Sequence, residues 1–263
     1  MSMEMPLVIF TVLSQASIGI ALMSAVRRVT APDTGTQPRR EWWTITLLMG
    51  VGILGSLFHL GHPLEAYRAL AHLDGAWLSR EILVAGIFIA LAGFAALIAD
   101  RQVPSALAVG CAVAGVALVF ISGMTYAPPA LPAVNNALPT AFFGLSTISL
   151  GAAFGSWFVR DSSRPMLARI LTATLVAALV LGLTIPCVWL SGGEIMRRTG
   201  IAWMQSPLYW GHIAVTAAAL VITLRNRDIP RWLAPLLLLG ELVGRAGFFA
   251  DTIHTASNMG GLY

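Results

Sequence analysis

Apolar residues recur along this chain in runs of about 20, the length of helix that crosses about 30 Å of membrane hydrocarbon. Eight such runs occur, at residues 6–26, 42–60, 80–99, 104–124, 138–159, 166–190, 206–224 and 231–250. Short segments rich in proline, glycine and charge separate them. The runs do not alternate polar and apolar residues as the strands of a membrane barrel do. We therefore predict an all-α, polytopic membrane protein with eight transmembrane helices, forming a single domain over residues 1–263.

The composition agrees with this pattern. The sequence is 57% hydrophobic and 11% charged, whereas a soluble domain is about 25% charged. Because a bilayer offers no partners to exposed backbone N–H and C=O groups, a sequence of this kind must form helices or a closed barrel. The net charge is +4, but no basic stripe with interleaved aromatic residues occurs, so we expect no nucleic-acid partner.

Arginine is distributed unequally between the two sides of the predicted bundle. All 16 basic residues are arginine, and eleven of them lie in or beside the loops after the first, third, fifth and seventh spans. The other five lie on the opposite side. Because arginine-rich loops stay in the cytoplasm, this count predicts that the odd-numbered loops are cytoplasmic and that both termini are outside.

The side with fewer arginines carries most of the other ionisable chemistry. All five histidines map to it: His59, His62, His72, His212 and His254. Arg80 and Glu81 begin the third span on this side, and Glu194 follows the sixth. Glu241 and Arg245 lie four residues apart, on one face of the eighth span. Ionisable groups at membrane depth are costly, which makes them candidates for function.

Each candidate also has a purely structural interpretation. Glu241 and Arg245 could form an ion pair that fixes helix packing. Glu81 suits the dipole at the start of a helix, and His59 could cap the end of the second span. A solvated loop residue is the simplest interpretation of the histidines at 62, 72 and 254.

Taken together, these residues indicate a quinone site. A histidine at a helix end, a glutamate at a helix start and an arginine at the same level would form a shallow polar pocket between apolar helices. The ring oxygens of a quinone need a hydrogen-bond donor, and oxidation of the quinol needs a proton acceptor. Histidine exchanges protons near neutral pH, so His59 is the first candidate, with Glu81 beside it.

Metal and dinucleotide sites are not predicted. Cys111 and Cys187 lie far apart in apolar runs and no CxxC pair occurs, so we expect no iron–sulfur cluster or structural zinc in this protein. The glycines of segment 50–55 match GxGxxG, but they lie inside a membrane span rather than after a strand. Close helix packing explains them better, as it does Gly151 with Gly155 and Gly240 with Gly244.

Three classes of function are compatible with a membrane bundle, and the residues favour one of them. A two-haem cytochrome needs axial histidines near both faces, and at most one haem could lie between His59 and His212. A secondary transporter would use midplane charges and broken helices, but only Pro186 interrupts a span deeply and Glu241 is the one central carboxylate. The one-sided polar cluster favours a quinol-handling anchor for a redox enzyme whose metal centres lie in other chains.

Several segments resemble the membrane-anchor subunits of dimethyl sulfoxide reductases. The resemblance begins at residues 5–12 (Met-Pro-Leu-Val-Ile-Phe-Thr-Val) and includes segment 58–63 (Phe-His-Leu-Gly-His-Pro) and segment 78–82 (Leu-Ser-Arg-Glu-Ile). It also includes segment 193–195 and segment 240–249, the latter with Glu241 and Arg245. The similarity is therefore spread over nearly the whole chain.

This resemblance implies an eight-helix anchor in a bacterial cytoplasmic membrane with both termini in the periplasm. It implies a molybdopterin catalytic subunit and a subunit with four [4Fe–4S] clusters as partners, and an anchor without haem that oxidises menaquinol. His59 matches the family's quinol-site histidine, and Glu81 an acidic residue near that site. Arg80, Glu241 and Arg245 complete the candidate set. Related anchors send electrons the opposite way, into the quinone pool, which remains an alternative.

Overall fold

The computed structural model describes residues 5–30, 37–57, 68, 70–100, 103–159 and 163–258. Two of the sequence candidates, His59 and His62, lie outside these ranges. Within them every long regular element is an α-helix, and no strand is present. The predicted all-α class is therefore confirmed for this part of the sequence.

The helices follow one another as α1 (Met5–Thr30), α2 (Pro38–Leu57), α3 (Trp77–Leu97), α4 (Ser105–Thr125), α5 (Leu138–Gly155), α6 (Arg164–Leu190), α7 (Glu194–Gln205), α8 (Pro207–Asn226) and α9 (Leu233–Asp251). Seven described helices are long and apolar enough to cross a membrane: α1, α3, α4, α5 with its 3₁₀ extension to Phe158, α6, α8 and α9. Helix α2 is not among them, and its first turn carries Arg39, Arg40 and Glu41. The predicted count of eight spans thus stays a prediction.

All eight apolar runs of the sequence coincide with a long helix, but the sequence pattern does not predict α7. It is a 12-residue helix, too short to span, between α6 and α8. Glu194, Arg197 and Arg198 are exposed on it, while Thr199 and Trp203 are buried. Apolar residues on one face and charges on the other are typical of a helix that lies along the surface of a bundle.

Helix α1 occupies the centre of the bundle. It packs against α2, α4, α5 and α9, and its residues from Val8 to Ala25 are mostly buried. Its closest approach is to α5, where a Cβ added at Gly19 would lie 2.0 Å from the carbonyl oxygen of Thr147. A Cβ added at Gly151 would lie 2.4 Å from Gly19. Small residues therefore bring these helices into backbone contact, as predicted for Gly151.

Hydrogen bonds and ion pairs of arginine join neighbouring helices at one end of the bundle. There, Arg28 Nη1 donates to the carbonyl oxygen of Val103 at 2.9 Å, and Arg164 Nε lies 2.9 Å from Asp228 Oδ1. Arg27 pairs with Glu41 at the same end. We call this the Arg27 end and the opposite one, where α3 begins, the Glu81 end.

Helix α6 continues through Pro186 without a break. Proline has no N–H to donate to the carbonyl four residues earlier, which would leave the oxygen of Gly182 without its helical partner. The hydroxyl of Tyr209 on α8 donates to that oxygen at 3.0 Å. A side chain from a neighbouring helix thus satisfies the freed carbonyl, as membrane helices require.

Candidate functional site

Glu81 is a buried carboxylate near the start of α3. Only 2% of the residue is exposed, and its Oε1 accepts a hydrogen bond of 2.6 Å from the hydroxyl of Ser122 on α4. Its Oε2 is buried and has no hydrogen-bond partner. No ion pair to Glu81 is present among the residues that the structure describes. Helices α3 and α4 thus hold a carboxylate with one oxygen fixed and the other free.

Helices α2 and α3 pack antiparallel, and their register locates the sequence candidates around Glu81. A Cβ added at Gly50 would contact Ile89, and one added at Gly93 would contact Thr46. Continuing this register places Leu57, where α2 ends, level with the start of α3 near Glu81. His59 follows two positions later in the sequence, outside the described residues.

Arg80, the neighbour of Glu81 in sequence, stabilises the turn before α3. Its Nε donates to the carbonyl oxygen of Leu73 at 2.8 Å and its Nη2 to that of Asp74 at 2.6 Å. Its guanidinium lies 4.5 Å from the centre of the Trp77 ring. The arginine therefore fixes the approach to α3 rather than the carboxylate of Glu81.

A second polar cluster is centred on Arg245 of α9. The residue is buried, and its Nη2 donates to Gln15 Oε1 on α1 at 2.8 Å and to Ser146 Oγ on α5 at 3.3 Å. The guanidinium lies 3.8 Å from the centre of the Phe143 ring, a cation–π contact. Arg245 thus joins three helices at membrane depth.

Glu241 and Arg245 are linked through a hydroxyl rather than directly. Ser146 Oγ lies 2.7 Å from Glu241 Oε2 and also receives the Arg245 contact. A direct ion pair between the two residues, one of the sequence interpretations, does not occur, although both are fully described. The glutamate still balances the buried positive charge across one intervening group.

A cleft opens beside this cluster, between α5, α6, α8 and α9. Its polar lining includes Ser146, Trp203, Tyr209, His212, Glu241, Arg245 and Asp251, and its apolar lining includes Phe142, Ala178 and Phe248. Its cavity volume is about 70 Å³, and all the empty space between its walls, including the open solvent at its mouth, is about 700 Å³. Neither Arg80 nor Glu81 lines this cleft.

The structure therefore separates the predicted residues into two groups at the same end. Glu81 belongs to α3 and α4, whereas Glu241 and Arg245 belong to α1, α5 and α9. Tyr126, directly after α4, lies between them: its ring centre is 5.7 Å from that of Phe143 and 5.3 Å from that of Phe249. Burial raises the pKa of Tyr126 above its ordinary value, the charge of Glu81 adds to the shift, and Arg245 opposes it. The phenol is thus a neutral group within electrostatic range of both clusters.

Comparison with known proteins supplies the family. The model of the DMSO reductase anchor subunit (DmsC) family matches residues 1–230. The protein belongs to this family. The match includes α1 to α8, and α9 with Glu241 and Arg245 follows the matched range.

Relatives of this anchor subunit agree. It is 27% identical to the anaerobic dimethyl sulfoxide reductase protein YnfH of Escherichia coli, over 94% of each sequence. It is 31% identical to a protein of Haemophilus influenzae that is named as part of an anaerobic dimethyl sulfoxide reductase, over 55% of this sequence and 54% of that one. A 45-residue stretch is 49% identical to a sulfite dehydrogenase protein of Allochromatium vinosum, which covers 17% of this sequence and 14% of that protein.

The protein is therefore a membrane-integral anchor subunit of a DMSO reductase-type complex. Such a subunit implies catalytic and electron-transfer partner subunits in other chains. The assignment favours the anchor among the three classes that the sequence left open, ahead of the cytochrome and the transporter.

Sequence reasoning does not single out several residues of the cleft. Tyr209, Trp203 and Asp251 line it, yet each lies at a helix end where an interfacial anchor or a solvated residue is the ordinary interpretation. His212 has no role predicted from sequence. One signal is available: Pro186 frees the carbonyl of Gly182, so a donor such as Tyr209 is required nearby.

Glu194, which also has no role predicted from sequence, lies apart from both clusters. It is exposed on α7 and binds Arg197 and Arg198 of the same helix. The structure therefore gives it a place in a surface ion-pair network rather than in the cleft.

Proposed function

We propose that this anchor subunit oxidises menaquinol at the Glu81 end and passes the electrons to an iron–sulfur partner subunit. A quinol that becomes a quinone loses two protons and two electrons. The electrons leave one at a time to a [4Fe–4S] cluster in the partner, while the protons need an acceptor within the membrane protein. The observation that carries the proposal is the free, buried Oε2 of Glu81.

The environment of Glu81 suits a proton acceptor. Ser122 fixes one oxygen by a hydrogen bond, so the carboxylate keeps a defined orientation, and the free oxygen can accept a proton from a bound hydroxyl. Burying a charged group without a counter-charge is costly, so a carboxylate at membrane depth is a candidate for function. Most buried polar atoms are paired, so an unpaired carboxylate oxygen calls for an explanation.

His59 is the proposed partner of Glu81 at the quinol ring. By sequence it follows the last described residue of α2, which lies level with Glu81. We assign it the hydrogen bond to one ring oxygen, with Glu81 accepting or relaying the proton. Glu241 and Arg245 belong to a second group behind Tyr126, which we place in the path of the released protons rather than at the ring.

The proposed setting is a bacterial cytoplasmic membrane, with a molybdopterin catalytic subunit and a second subunit that holds four [4Fe–4S] clusters as partners. The unequal arginine count supports an orientation with the Arg27 end in the cytoplasm and both termini in the periplasm. Arg27, Arg28, Arg39 and Arg164 all lie at the Arg27 end, in keeping with that orientation.

The opposite direction of electron flow is a second candidate. The short match to a protein named for sulfite dehydrogenase supports an anchor that receives electrons and reduces the quinone. The same carboxylate would then deliver the proton instead of accepting it. Assays of quinol oxidation and of quinone reduction by the complex, run side by side, decide the direction.

The experiment compares Glu81→Gln with Glu194→Gln in the purified complex. Glutamine keeps the shape of Glu81 and its bond to Ser122 but cannot accept the proton. We expect quinol oxidation to fall by roughly 10²–10⁴-fold, the range for loss of a general base, while fluorescence quenching by a quinol analogue shows nearly unchanged binding. Glu194 is exposed and distant from the site, so its variant should behave as the wild type.

Equal quinol oxidation by the two variants would contradict the role of Glu81. A third variant, His59→Arg, tests the ring contact, and we expect it to abolish quenching by the analogue. Unchanged quenching in His59→Arg would show that the quinol ring binds elsewhere.

A further inference from the structure

Three polar atoms of the cleft between α5, α6, α8 and α9 are buried and have no hydrogen-bond partner. They are Arg245 Nη1, Trp203 Nε1 and Asp251 Oδ2. The residues Arg245 and Trp203 are 5% and 8% exposed, so bulk solvent does not reach their side chains freely. Buried polar atoms are almost always paired with protein or with ordered water. All three residues line the cleft, so two donors and one acceptor beside it lack a partner, and an occupant that both accepts and donates would satisfy them.

The size of the cleft decides what that occupant is. The cavity volume of the cleft is about 70 Å³, and about 10–15 Å³ of such volume is needed to hold one water molecule. Pockets for drug-sized ligands are typically about 300–1,000 Å³. A cleft of this volume holds a few water molecules and is smaller than the usual pocket for a drug-sized ligand.

His212 presents a proton acceptor to this water. Its Nδ1 lies 3.0 Å from the carbonyl oxygen of Gly240. A carbonyl only accepts, so Nδ1 carries the hydrogen, and in the neutral ring Nε2 is left as the acceptor. The ring fits there because residue 244 is glycine: a Cβ at Gly244 would lie 2.6 Å from His212 Nδ1.

The cleft reaches from the Glu81 end to the middle of the membrane helices. Asp251 is the last residue of α9, and just beyond it the N–H of Thr255 donates to the carbonyl oxygen of Ala130 at 2.9 Å, in the loop after α4. Glu241 lies ten residues earlier, about 15 Å along the helix axis. That depth is about half of the 30 Å of hydrocarbon.

We propose that this cleft is a water-filled proton path, in which ordered water together with His212 and Asp251 connects the Glu241–Arg245 cluster to the aqueous phase at the Glu81 end. This proposal rests on the proposed function, because the path would carry away the protons that the quinol releases. Tyr126 lies between Glu81 and the inner end of the path. Among the described residues, the titratable groups that line it all come from α8 or α9: Tyr209, His212, Glu241, Arg245 and Asp251. Helix α5 contributes the hydroxyl of Ser146, and α6 contributes only uncharged positions such as Ala178 and Gly182.

The test fills the cleft without removing a titratable group. Ala178→Leu places an apolar side chain inside it, whereas Ala177→Leu adds the same side chain on the exposed face of α6. In the purified complex we expect Ala178→Leu to lower quinol oxidation by roughly tenfold, less than the loss of a general base. Its rate should also slow more in D₂O than that of the wild type, with binding of a quinol analogue unchanged. Asp251→Asn should act in the same direction, since it removes the titratable group at the mouth.

Electron cryomicroscopy of the complex at a resolution that reveals ordered water gives the second readout. Water should lie within hydrogen-bond distance of Arg245 Nη1 and Asp251 Oδ2 in the wild type and in Ala177→Leu, and be displaced in Ala178→Leu. A lipid tail in the wild-type cleft would overturn the proposal, as would equal rates and D₂O effects in the two leucine variants. Loss of analogue binding in Ala178→Leu would also overturn it, by making the cleft part of the quinol site. If the wild type oxidises no quinol, the proposed function fails, and the water positions still decide whether the cleft is hydrated.

Discussion

Two glutamates are buried at opposite ends of this bundle, and their surroundings differ in one decisive respect. Glu41, in the first turn of α2, is 0% exposed, and both of its oxygens are bonded, Oε1 to Arg27 and Oε2 to the hydroxyl of Ser24 at 3.3 Å. Glu81, in the first turns of α3, is 2% exposed and has one oxygen bonded and one free. Burial is the same, but only Glu41 has a counter-charge.

The difference separates a structural carboxylate from a candidate functional one. A buried ion pair costs desolvation and is retained only where the geometry satisfies both partners. Both oxygens of Glu41 are bonded, and Arg27 pairs with it and also donates from Nε to the carbonyl oxygen of Met23 at 3.0 Å. Glu81 lacks that compensation, so its burial needs another explanation, which the proposed proton exchange with a quinol would provide.

The largest effect on stability is expected for Glu41→Gln. The substitution leaves the guanidinium of Arg27 buried without its counter-charge, which costs about 3–5 kcal/mol. Thermal unfolding of the purified complex should show this loss, and Glu81→Gln should show little of it because no ion pair is broken. A larger loss of stability in Glu81→Gln than in Glu41→Gln would reverse the assignment of the two glutamates.

Two further variants sharpen this result. Replacing both partners, as Arg27→Met with Glu41→Leu, removes the unpaired charge and should recover much of the stability. The pair of Arg39 with Asp100 lies at the same end at 3.1 Å, with 68% and 67% of the side chains exposed. Asp100→Asn should therefore cost at most about 1 kcal/mol. A cost as large as that of Glu41→Gln would show that burial is not what distinguishes the pairs.

Much of the helical architecture could be predicted because the period and length of apolar runs are local properties. The runs at 80–99 and 166–190 coincide with α3 and α6, and even the proline of α6 leaves it continuous. Helix α7 could not be predicted because a 12-residue amphipathic segment gives no membrane-length signal. Its existence depends on Thr199 and Trp203 packing against the bundle, and such packing cannot be read from the segment itself.

The sequence could predict which residues are candidates for the site, but not which of them lie together in the structure. The arginine count and helix order correctly put Glu81 and Arg245 at the same end. Which helices are neighbours decides whether they meet, and that depends on close contacts such as Gly19 with Gly151, far apart in sequence. The sequence therefore indicated one pocket where the structure has two clusters. The linkage of Glu241 to Arg245 through Ser146 could not be predicted either, because a serine in an apolar run has no distinctive pattern.

A smaller effect, on the rate of quinol oxidation, is expected for Ser122→Ala, which tests whether the free oxygen of Glu81 needs a fixed orientation. The substitution removes the 2.6 Å hydrogen bond to Oε1, so the carboxylate loses its fixed orientation. Hydrogen bonds to charged groups contribute about 1.5–3 kcal/mol, and we expect quinol oxidation to fall by roughly tenfold, about 1.4 kcal/mol. Ser122→Thr keeps the hydroxyl and should recover most of the rate.

Ser156→Ala provides the matched control for that variant. Its hydroxyl is buried at the Arg27 end and donates to the carbonyl oxygen of Ala153 at 2.7 Å, at the opposite end of the bundle from Glu81. The quinol oxidation rate of Ser156→Ala should equal that of the wild type. A rate for Ser122→Ala that also equals the wild type would show that Glu81 needs no fixed orientation.

The smallest effect is expected for Glu194→Gln, which extends the comparison to a glutamate with counter-charges but no burial. Glu194 Oε2 lies 2.9 Å from Arg197 Nη2, and Oε1 lies 2.7 Å from Arg198 Nε, all on the exposed side of α7. Hydrogen bonds from Arg198 and then Arg197 hold the pKa of this carboxyl below its ordinary value of 4.5. A depressed pKa in the folded state means that the ion pairs stabilise α7 at neutral pH and that this contribution is lost as the pH falls through the depressed pKa.

Thermal unfolding should therefore show a slight difference between variant and wild type at neutral pH, and the difference should disappear on acidification well below pH 4.5. Quinol oxidation should stay unchanged throughout, because solvent screens charges at an exposed site. A loss of stability comparable to that of Glu41→Gln would mean that α7 is held by its charges, and the buried faces of Thr199 and Trp203 would then no longer explain why this short helix forms.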